Sequence, residues 1–171
     1  MTMDITEAIV SRRSIRKYTT ESVSDEDVEA LLNAAMHAPS AVNEQPWHFV
    51  VVKDRETLTA IPQISPTAPM VKYAPVAIVV CADKDLEKFP GLWVQDCSAA
   101  TENMLLAATA RGLGATWTAV YPFEDRIEGI KNLLNLPANV IPLCIVPVGH
   151  PAETPVPVDR FNPSCIHHEV W

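Results

Sequence analysis

Apolar residues recur at helical spacing in several stretches of the chain. Ser24 is a good N-cap, and the apolar residues from Val28 to Ala35 lie on one side of the helix that follows it. Pro39 ends this helix near Ala38, because proline disfavours helical backbone in the residue before it. By the same reasoning the pattern predicts helices over residues 4–10, 24–38, 54–61, 93–111 and 124–134.

Apolar runs between these helices predict a sheet. Residues 75–81 are almost uninterruptedly apolar, which is typical of a strand buried on both faces. Residues 63–73 lack a period and are predicted to form a loop, and the Pro-rich tail from Pro151 also lacks one. The predicted strands cover residues 48–53, 75–81, 116–120 and 140–148. The pattern therefore predicts one mixed α/β domain over residues 1–171, with four or five strands.

Two features of the pattern suggest that this chain packs against a partner. The helix over residues 93–111 is apolar on more than one face and rich in small residues, as expected of a helix at the centre of a fold or in a dimer interface. The tail ends in Val170 and Trp171, which we expect to dock on another surface rather than to remain free.

Charge and composition exclude several classes of protein. The net charge of −8 argues against a nucleic-acid or anionic-membrane surface. No apolar stretch approaches the roughly 20 residues that span a bilayer, and Met1 leads into Asp4 without an apolar leader. These observations predict a soluble, cytoplasmic protein.

A metal site or a disulfide framework is not expected. The adjacent His167 and His168 would point to opposite faces of a strand, and no Cys or carboxylate completes a site at metal-ligand spacing. The cysteines lie far apart, without a C-x-x-C pair, and are predicted to be reduced core residues: Cys81, Cys97, Cys144 and Cys165.

Basic residues cluster near the start of this acidic chain. Arg12, Arg13, Arg16 and Lys17 are four of its 13 Lys and Arg residues, and Ser14 lies among them. They fit either of two roles. Cations at a helix C-terminus complement the helix dipole, whereas arginine forks and a serine hydroxyl donate to phosphate oxygens in an anion site. The segment alone leaves both roles open.

Two further segments carry candidate binding chemistry. Residues 38–47 (APSAVNEQPW) connect a helix to a strand through small residues, prolines and amides, which fits either a stiff connection or a surface for a planar ring. Residues 112–122 begin G-L-G and lead from a helix into a strand. This order is opposite to that of a dinucleotide-binding G-x-G-x-x-G loop, so a Rossmann phosphate loop is not predicted.

Taken together, these segments resemble the nitroreductase family. An R-x-S-x-R element at residues 12–16 precedes P-S-x-x-N-x-Q-P-W at 39–47, an Ala-Pro pair before the strand at 75–81, the G-L-G strand, and a G-H-P turn at 149–151. The resemblance covers nearly the whole chain. It implies a mixed α+β nitroreductase-like fold, with a mostly antiparallel central sheet of four to five strands flanked by helices. It also implies that the C-terminal tail reaches a partner subunit.

The resemblance further implies FMN, held at the interface of a homodimer, and NAD(P)H as the electron donor. The FMN phosphate would be contacted by Arg12, Ser14 and Arg160, with Arg13 in support. Arg16 would lie at the N1–C2=O edge of the ring system, where reduced flavin carries negative charge. Facing the flavin from the neighbouring subunit would be the loop residues Pro39, Ser40, Ala41, Asn43 and Gln45. The backbone at the N5–O4 edge would belong to Thr118, Ala119 and Val120.

The implied activity is ping-pong transfer of electrons from NAD(P)H to nitroaromatic, quinone or similar small acceptors. No side chain is needed as an acid–base catalyst, so no catalytic residue is predicted. The alternatives are an FMN-binding storage or sensing protein and a branch with other flavin chemistry, such as flavin breakdown or reductive dehalogenation. The segment before the strand at 75–81 departs from longer relatives, and contacts of Thr67, Met70 or Lys72 with the flavin are left open.

Overall fold

The computed structural model describes residues 3–171. Met1 and Thr2, where no leader segment was predicted, lie outside the described residues. The helices are α1 (Ile5–Ser11), α2 (Asp25–Met36), α3 (Arg55–Ile64), α4 (Trp93–Ala110) and α5 (Glu124–Leu134). The strands are β1 (Trp47–Val52), β2 (Val76–Asp83), β3 (Gly114–Ala115), β4 (Thr118–Ala119) and β5 (Val140–Gly149).

Side-chain caps start the first three helices where the sequence predicted. The Asp4 carboxylate accepts the backbone N–H of Thr6 at 2.7 Å, and Ser24 Oγ accepts that of Asp27 at 3.0 Å. Asp54 caps α3, but α3 continues through Pro62 to Ile64, so its predicted end at Ile61 was too early. Ile61 and Ile64 both pack into the core below the helix, and this packing favours the extra turn.

The sheet is antiparallel, and β2 lies at its centre between β1 and β5. Residues 76–82 are fully buried, which confirms the strand predicted to be covered on both faces. β3 and β4 both pair with the other edge of β5. The mixed α+β class with a mostly antiparallel sheet is therefore confirmed.

The single strand predicted over residues 116–120 is wrong, because β3 and β4 are separate short strands. Ala115 pairs with Val148 and Thr118 pairs with Ile145, so the register continues across the gap and places Pro147 opposite Thr116. Proline has no N–H to donate to a neighbouring strand. The ladder is interrupted at that point.

Two hydrophobic cores cover the two faces of the sheet. On one face, α2 and α4 pack over alternate residues of β2 such as Ile78 and Val80. On the other face, α3 and α5 pack over the residues between them, such as Val79 and Cys81. Trp47 and Trp93 are buried in the first core. Helix α4 is thus the central helix that its all-round apolar pattern indicated.

Several apolar side chains are not covered within this chain. Ile5, Ile9 and Val10 on α1 are all more than half exposed, and the tail over residues 156–171 is exposed throughout. Docking of the tail on a partner subunit stays a prediction. Within residues 3–171, no helix is long and apolar enough to cross a membrane.

The cysteines are unpaired thiols, as predicted. Cys81, Cys97 and Cys144 are buried, but Cys165 is exposed in the tail, so the prediction of a core position for that residue was wrong. Burial raises the pKa of the Cys81 and Cys144 thiols to about 12. No group of three potential metal ligands is found among residues 3–171.

Candidate functional site

The cationic segment, residues 12–17, lies beside β3. Arg12 follows the last residue of α1, and the chain then extends so that Ser14 pairs with Ala115 in a parallel bridge. The N–H of Ile15 donates to the carbonyl of Ala115 at 2.9 Å. Two motifs that are far apart in sequence, R-x-S-x-R and G-L-G, are therefore joined by the sheet.

Gly114 makes this close approach possible. A Cβ atom added at Gly114 would lie 2.5 Å from Cγ2 and 2.8 Å from Cβ of Ile15, closer than packed carbon atoms come. Any larger residue at this position must therefore push the cationic segment away from the sheet.

Glu153 holds the same segment from the other side, a contact that the sequence did not reveal. One oxygen of its carboxylate accepts the backbone N–H groups of Arg16 at 2.6 Å and Lys17 at 3.1 Å. These hydrogen bonds hold the pKa of Glu153 below its usual value. The guanidinium of Arg13 donates to the carbonyl of Val156 further along the tail. The chain that follows the G-H-P turn thus fixes the backbone of the cationic segment.

The predicted phosphate ligands differ in their availability. The Arg12 guanidinium lies 3.3 Å from the carboxylate of Glu102 on α4, whose side chain is half exposed. Arg16 is exposed and lines a cleft of about 430 Å³, together with Tyr18, Met70 and Tyr73. Arg160 is exposed on the tail, outside every ion pair formed within the described part of the chain.

The residues predicted at the N5–O4 edge form β4 and the start of the turn after it. The Thr118 hydroxyl donates to the carbonyl of Ile145 at 2.7 Å. The Val120 N–H donates to the carbonyl of Leu143 at 3.0 Å. Thr118 pairs with Ile145 in the same register, so its N–H also faces β5, and the donor predicted at this edge must be sought at Ala119.

Of the three residues left open by the sequence, Met70 lines the cleft beside Arg16. Met70 is buried against it and Lys72 lies 4.9 Å above the Tyr73 ring, whereas the Thr67 hydroxyl accepts a hydrogen bond from Arg126 at 3.1 Å. Arg126 also donates to the carbonyl of Ala119 at 3.0 Å. This arginine, which the sequence did not single out, ties the loop before β2 to β4.

The loop over residues 39–46 has an unusual backbone. Val42, Asn43 and Gln45 all have positive φ, of 43°, 57° and 48°. A β-branched residue such as valine rarely adopts this left-handed conformation, which costs on the order of 1–3 kcal/mol. The Ser40 hydroxyl oxygen accepts the N–H of Gln45 at 3.0 Å and closes the loop. Strain of this kind persists only where surrounding contacts enforce it.

Two buried carboxyl groups underlie this loop. Asp96 on α4 accepts the N–H of Ala41 at 3.0 Å, and Glu44 accepts the N–H of Lys88 at 2.7 Å. Burial and the neighbouring Glu44 carboxyl raise the pKa of Asp96. Neither carboxyl was singled out from the sequence. The sequence does place one acidic residue, Glu44, in a mostly apolar loop and another, Asp96, in a mostly apolar helix, and this is the signal that could have pointed to a buried pair.

One chain does not bring the two halves of the predicted flavin site together. The loop contacts α4 at Asp96 and the cationic segment contacts it at Glu102. Six residues correspond to about 9 Å along a helix and to different sides of it. A ligand that touches both must therefore bridge two surfaces.

Comparisons with known proteins identify the family to which this chain is similar. The profile of the Nitroreductase family matches residues 9–66 and 63–150. A protein of Methanothermobacter thermautotrophicus, provisionally named NADH dehydrogenase/NAD(P)H nitroreductase, is 57% identical over 169 residues, covering 99% of this chain and 88% of that protein.

Two crystal structures extend the comparison to the fold. A Parabacteroides distasonis protein with the same provisional name is 43% identical, with a TM-score of 0.94 and 98% of each chain covered. A Desulfovibrio desulfuricans protein, provisionally named a nitroreductase and solved in complex with FMN, is 32% identical, with a TM-score of 0.85 and 100% and 99% of the two chains covered. This chain belongs to the nitroreductase family.

Proposed function

We propose that this protein binds FMN between two copies of the chain and transfers electrons from NAD(P)H to nitroaromatic, quinone or similar small acceptors by a ping-pong mechanism. The observation that carries the proposal is the attachment of the cationic segment to β3, at Ser14 and Ile15. This attachment joins the segment that carries the guanidinium groups to the sheet at Ala115, a few residues before β4. A phosphate and a ring system joined by a short chain would match such a spacing.

The charges of this region fit a phosphate monoester. A phosphate dianion needs more than one cation, and bidentate guanidinium contacts are its strongest partners in proteins. Arg12, Arg16 and Arg160 have charged ends that are partly or fully exposed, and Ser14 adds a hydroxyl donor. Arg13 already donates to the tail, so a supporting role suits it better than direct contact. The related Desulfovibrio desulfuricans protein holds FMN.

The strained loop supplies the second surface of the proposed site. Its exposed residues, Val42, Asn43 and Gln45, lie away from the cationic segment of the same chain. A second copy can present this loop to the flavin. The exposed apolar side of α1, with Ile5 and Ile9, fits a surface covered by such a copy.

Bound FMN would supply the electron-transfer chemistry, accepting two electrons and a proton from the nicotinamide and returning them to the acceptor. The residues of this chain hold and orient the partners. Arg16 would provide a cation at the pyrimidine edge of the flavin, and the backbone of β4, at Ala119, would provide the N–H donor at the opposite edge. The cleft beside Arg16 is lined by Tyr18, Met70 and Tyr73, so planar organic molecules could occupy it in turn.

The test is a steady-state assay of purified protein supplied with FMN. We expect NADH or NADPH to bleach the bound flavin and menadione to restore it, with double-reciprocal plots at several menadione concentrations running parallel, as a ping-pong mechanism requires. A yellow protein whose flavin is not bleached by either nicotinamide would instead be a storage or sensing protein. Intersecting plots would contradict the ping-pong mechanism.

A further inference from the structure

Glu44 and Asp96 form a carboxyl pair that the proposed chemistry does not use. Glu44 is only 7% exposed and Asp96 only 5%. One oxygen of each carboxyl accepts a backbone N–H, from Lys88 for Glu44 and from Ala41 for Asp96. The other two oxygens, Glu44 Oε1 and Asp96 Oδ2, are buried without a donor among the described residues.

These two orphaned oxygens are explained if one proton lies between them. Asp96 accepts the N–H of Ala41, three residues before Glu44, and the nearby Glu44 carboxyl adds to burial in raising the pKa of Asp96. A carboxylate only accepts hydrogen bonds, so two ionised groups would leave both oxygens unsatisfied and two like charges buried together. A single shared proton satisfies both oxygens and halves the buried charge, as in other close carboxyl dyads.

The surroundings offer no cation that would let both groups ionise. Within residues 3–171, neither Glu44 nor Asp96 forms an ion pair. The nearest third carboxylate is Glu87, whose side chain is buried and paired with Lys84. The neighbouring Cys97 thiol is buried, and this burial is the main cause of its raised pKa. The thiol therefore stays neutral. Every group that faces the pair is thus neutral, negative or already engaged.

We propose that Glu44 and Asp96 share one proton and act as a positioning pair, which locks the positive-φ loop against α4 in the conformation that faces the flavin. The proposal rests on the proposed function only for the identity of the ligand. The loop is held at Ala41 by Asp96 and at Glu44 by the hydrogen bond that its carboxylate accepts from the Lys88 N–H, on either side of Val42 and Asn43. The pair therefore enforces the strained backbone between these points.

The shared proton has a definite consequence for stability. Asp96 is protonated in the folded protein at pH values where an unfolded aspartate, with a pKa near 3.9, is ionised. Between that pH and the raised pKa of Asp96 in the folded protein, folding takes up one proton. The folding equilibrium constant should therefore fall about tenfold for each unit rise in pH, from this pair alone.

Asp96→Asn is the decisive variant, because its amide replaces the proton donor while its oxygen still accepts the Ala41 N–H. We expect flavin-free Asp96→Asn protein to lack the pair's contribution. Above about pH 5, as long as the wild-type pair keeps its proton, the folding constant of the variant should therefore fall about tenfold less per pH unit than that of the wild type. Glu128→Gln removes an exposed carboxylate on α5 and should match the wild type. Identical pH slopes for wild type and Asp96→Asn would overturn the shared proton.

FMN affinity at a single pH near 6 tests the positioning role. Asp96→Asn should bind FMN within about twofold of the wild type, whereas Asp96→Ala, which cannot accept the Ala41 N–H, should bind about tenfold more weakly or worse. Equal losses in both variants would overturn the proposal. If wild-type protein binds no FMN, the proposed function is wrong. The pH dependence of the folding constant of the flavin-free protein still tests whether Glu44 and Asp96 share a proton.

Discussion

Arg12 lies at the junction between α1 and the extended cationic segment, and within residues 3–171 its side chain has a single charged partner. That partner, Glu102, is half exposed and 3.3 Å away. Exposed pairs of this kind contribute roughly 0–1 kcal/mol to stability. A site built for phosphate would hold its arginine in this way, oriented but easily transferred to a stronger anion. If Arg12 served only as a cation at the end of α1, it would contribute little to the affinity for any ligand.

Arg12→Ala is expected to weaken FMN binding by about 10- to 100-fold, the value of one or two charge-assisted hydrogen bonds. Fluorescence titration of flavin-free protein with FMN measures this loss. Glu102→Gln is the matched control, because it removes the partner but leaves the guanidinium, and it should bind FMN as tightly as the wild type. If Arg12→Ala retains wild-type affinity, the assignment of Arg12 to the phosphate is wrong.

At the scale of elements, the close contact between β3 and the cationic segment decides where the positive charges lie. Gly114 is the point at which the two backbones meet, and Ile15 occupies the space that a side chain would need. The interruption between β3 and β4 follows from Pro147 opposite Thr116. These features explain why a G-L-G element that does not open a helix still belongs to the candidate ligand site.

Gly114→Ala should therefore damage FMN binding as well as stability. Overpacking of this kind typically costs about 1–3 kcal/mol, here partly by displacing Ile15 and the arginines beside it. Gly129→Ala on α5 is the control, because its new methyl group would meet Ile64 in the other core, far from the cationic segment. Both variants should unfold more readily, but only Gly114→Ala should weaken FMN binding beyond twofold at a temperature where both are folded. Equal affinities would contradict this account of the segment.

At the scale of the whole molecule, much of the fold follows from the sequence. Caps at Ser24 and Asp54 and the apolar run of β2 were sufficient to predict those elements. Contacts between distant segments were not predictable, since no local pattern reports them. The Glu44–Asp96 pair joins a loop to a helix. The hydrogen bonds accepted by Glu153 join the tail to the segment near the start of the chain. The break between β3 and β4 depended likewise on which residue of β5 lies opposite.

The exposed apolar side of α1 suggests how two copies meet. Ile5 is 64% exposed and lines a groove between α1, α2 and α4 together with Leu106 and Ala107. Ile5→Glu should leave the fold of the single chain intact, because the side chain is exposed and a negative charge suits a helix N-terminus. In the dimer it would bury a charge. We therefore expect dissociation and loss of FMN together, whereas Glu29→Gln, at an exposed position of α2, should change neither.

Sedimentation of the FMN-loaded protein, followed at a wavelength absorbed only by flavin, tests the central claim most directly. We expect all bound flavin to sediment with a species of twice the 18.8 kDa chain mass, at one FMN per chain. Flavin that sediments with a single chain would contradict a site shared by two copies. Flavin that remains unbound at micromolar concentrations would contradict FMN binding itself.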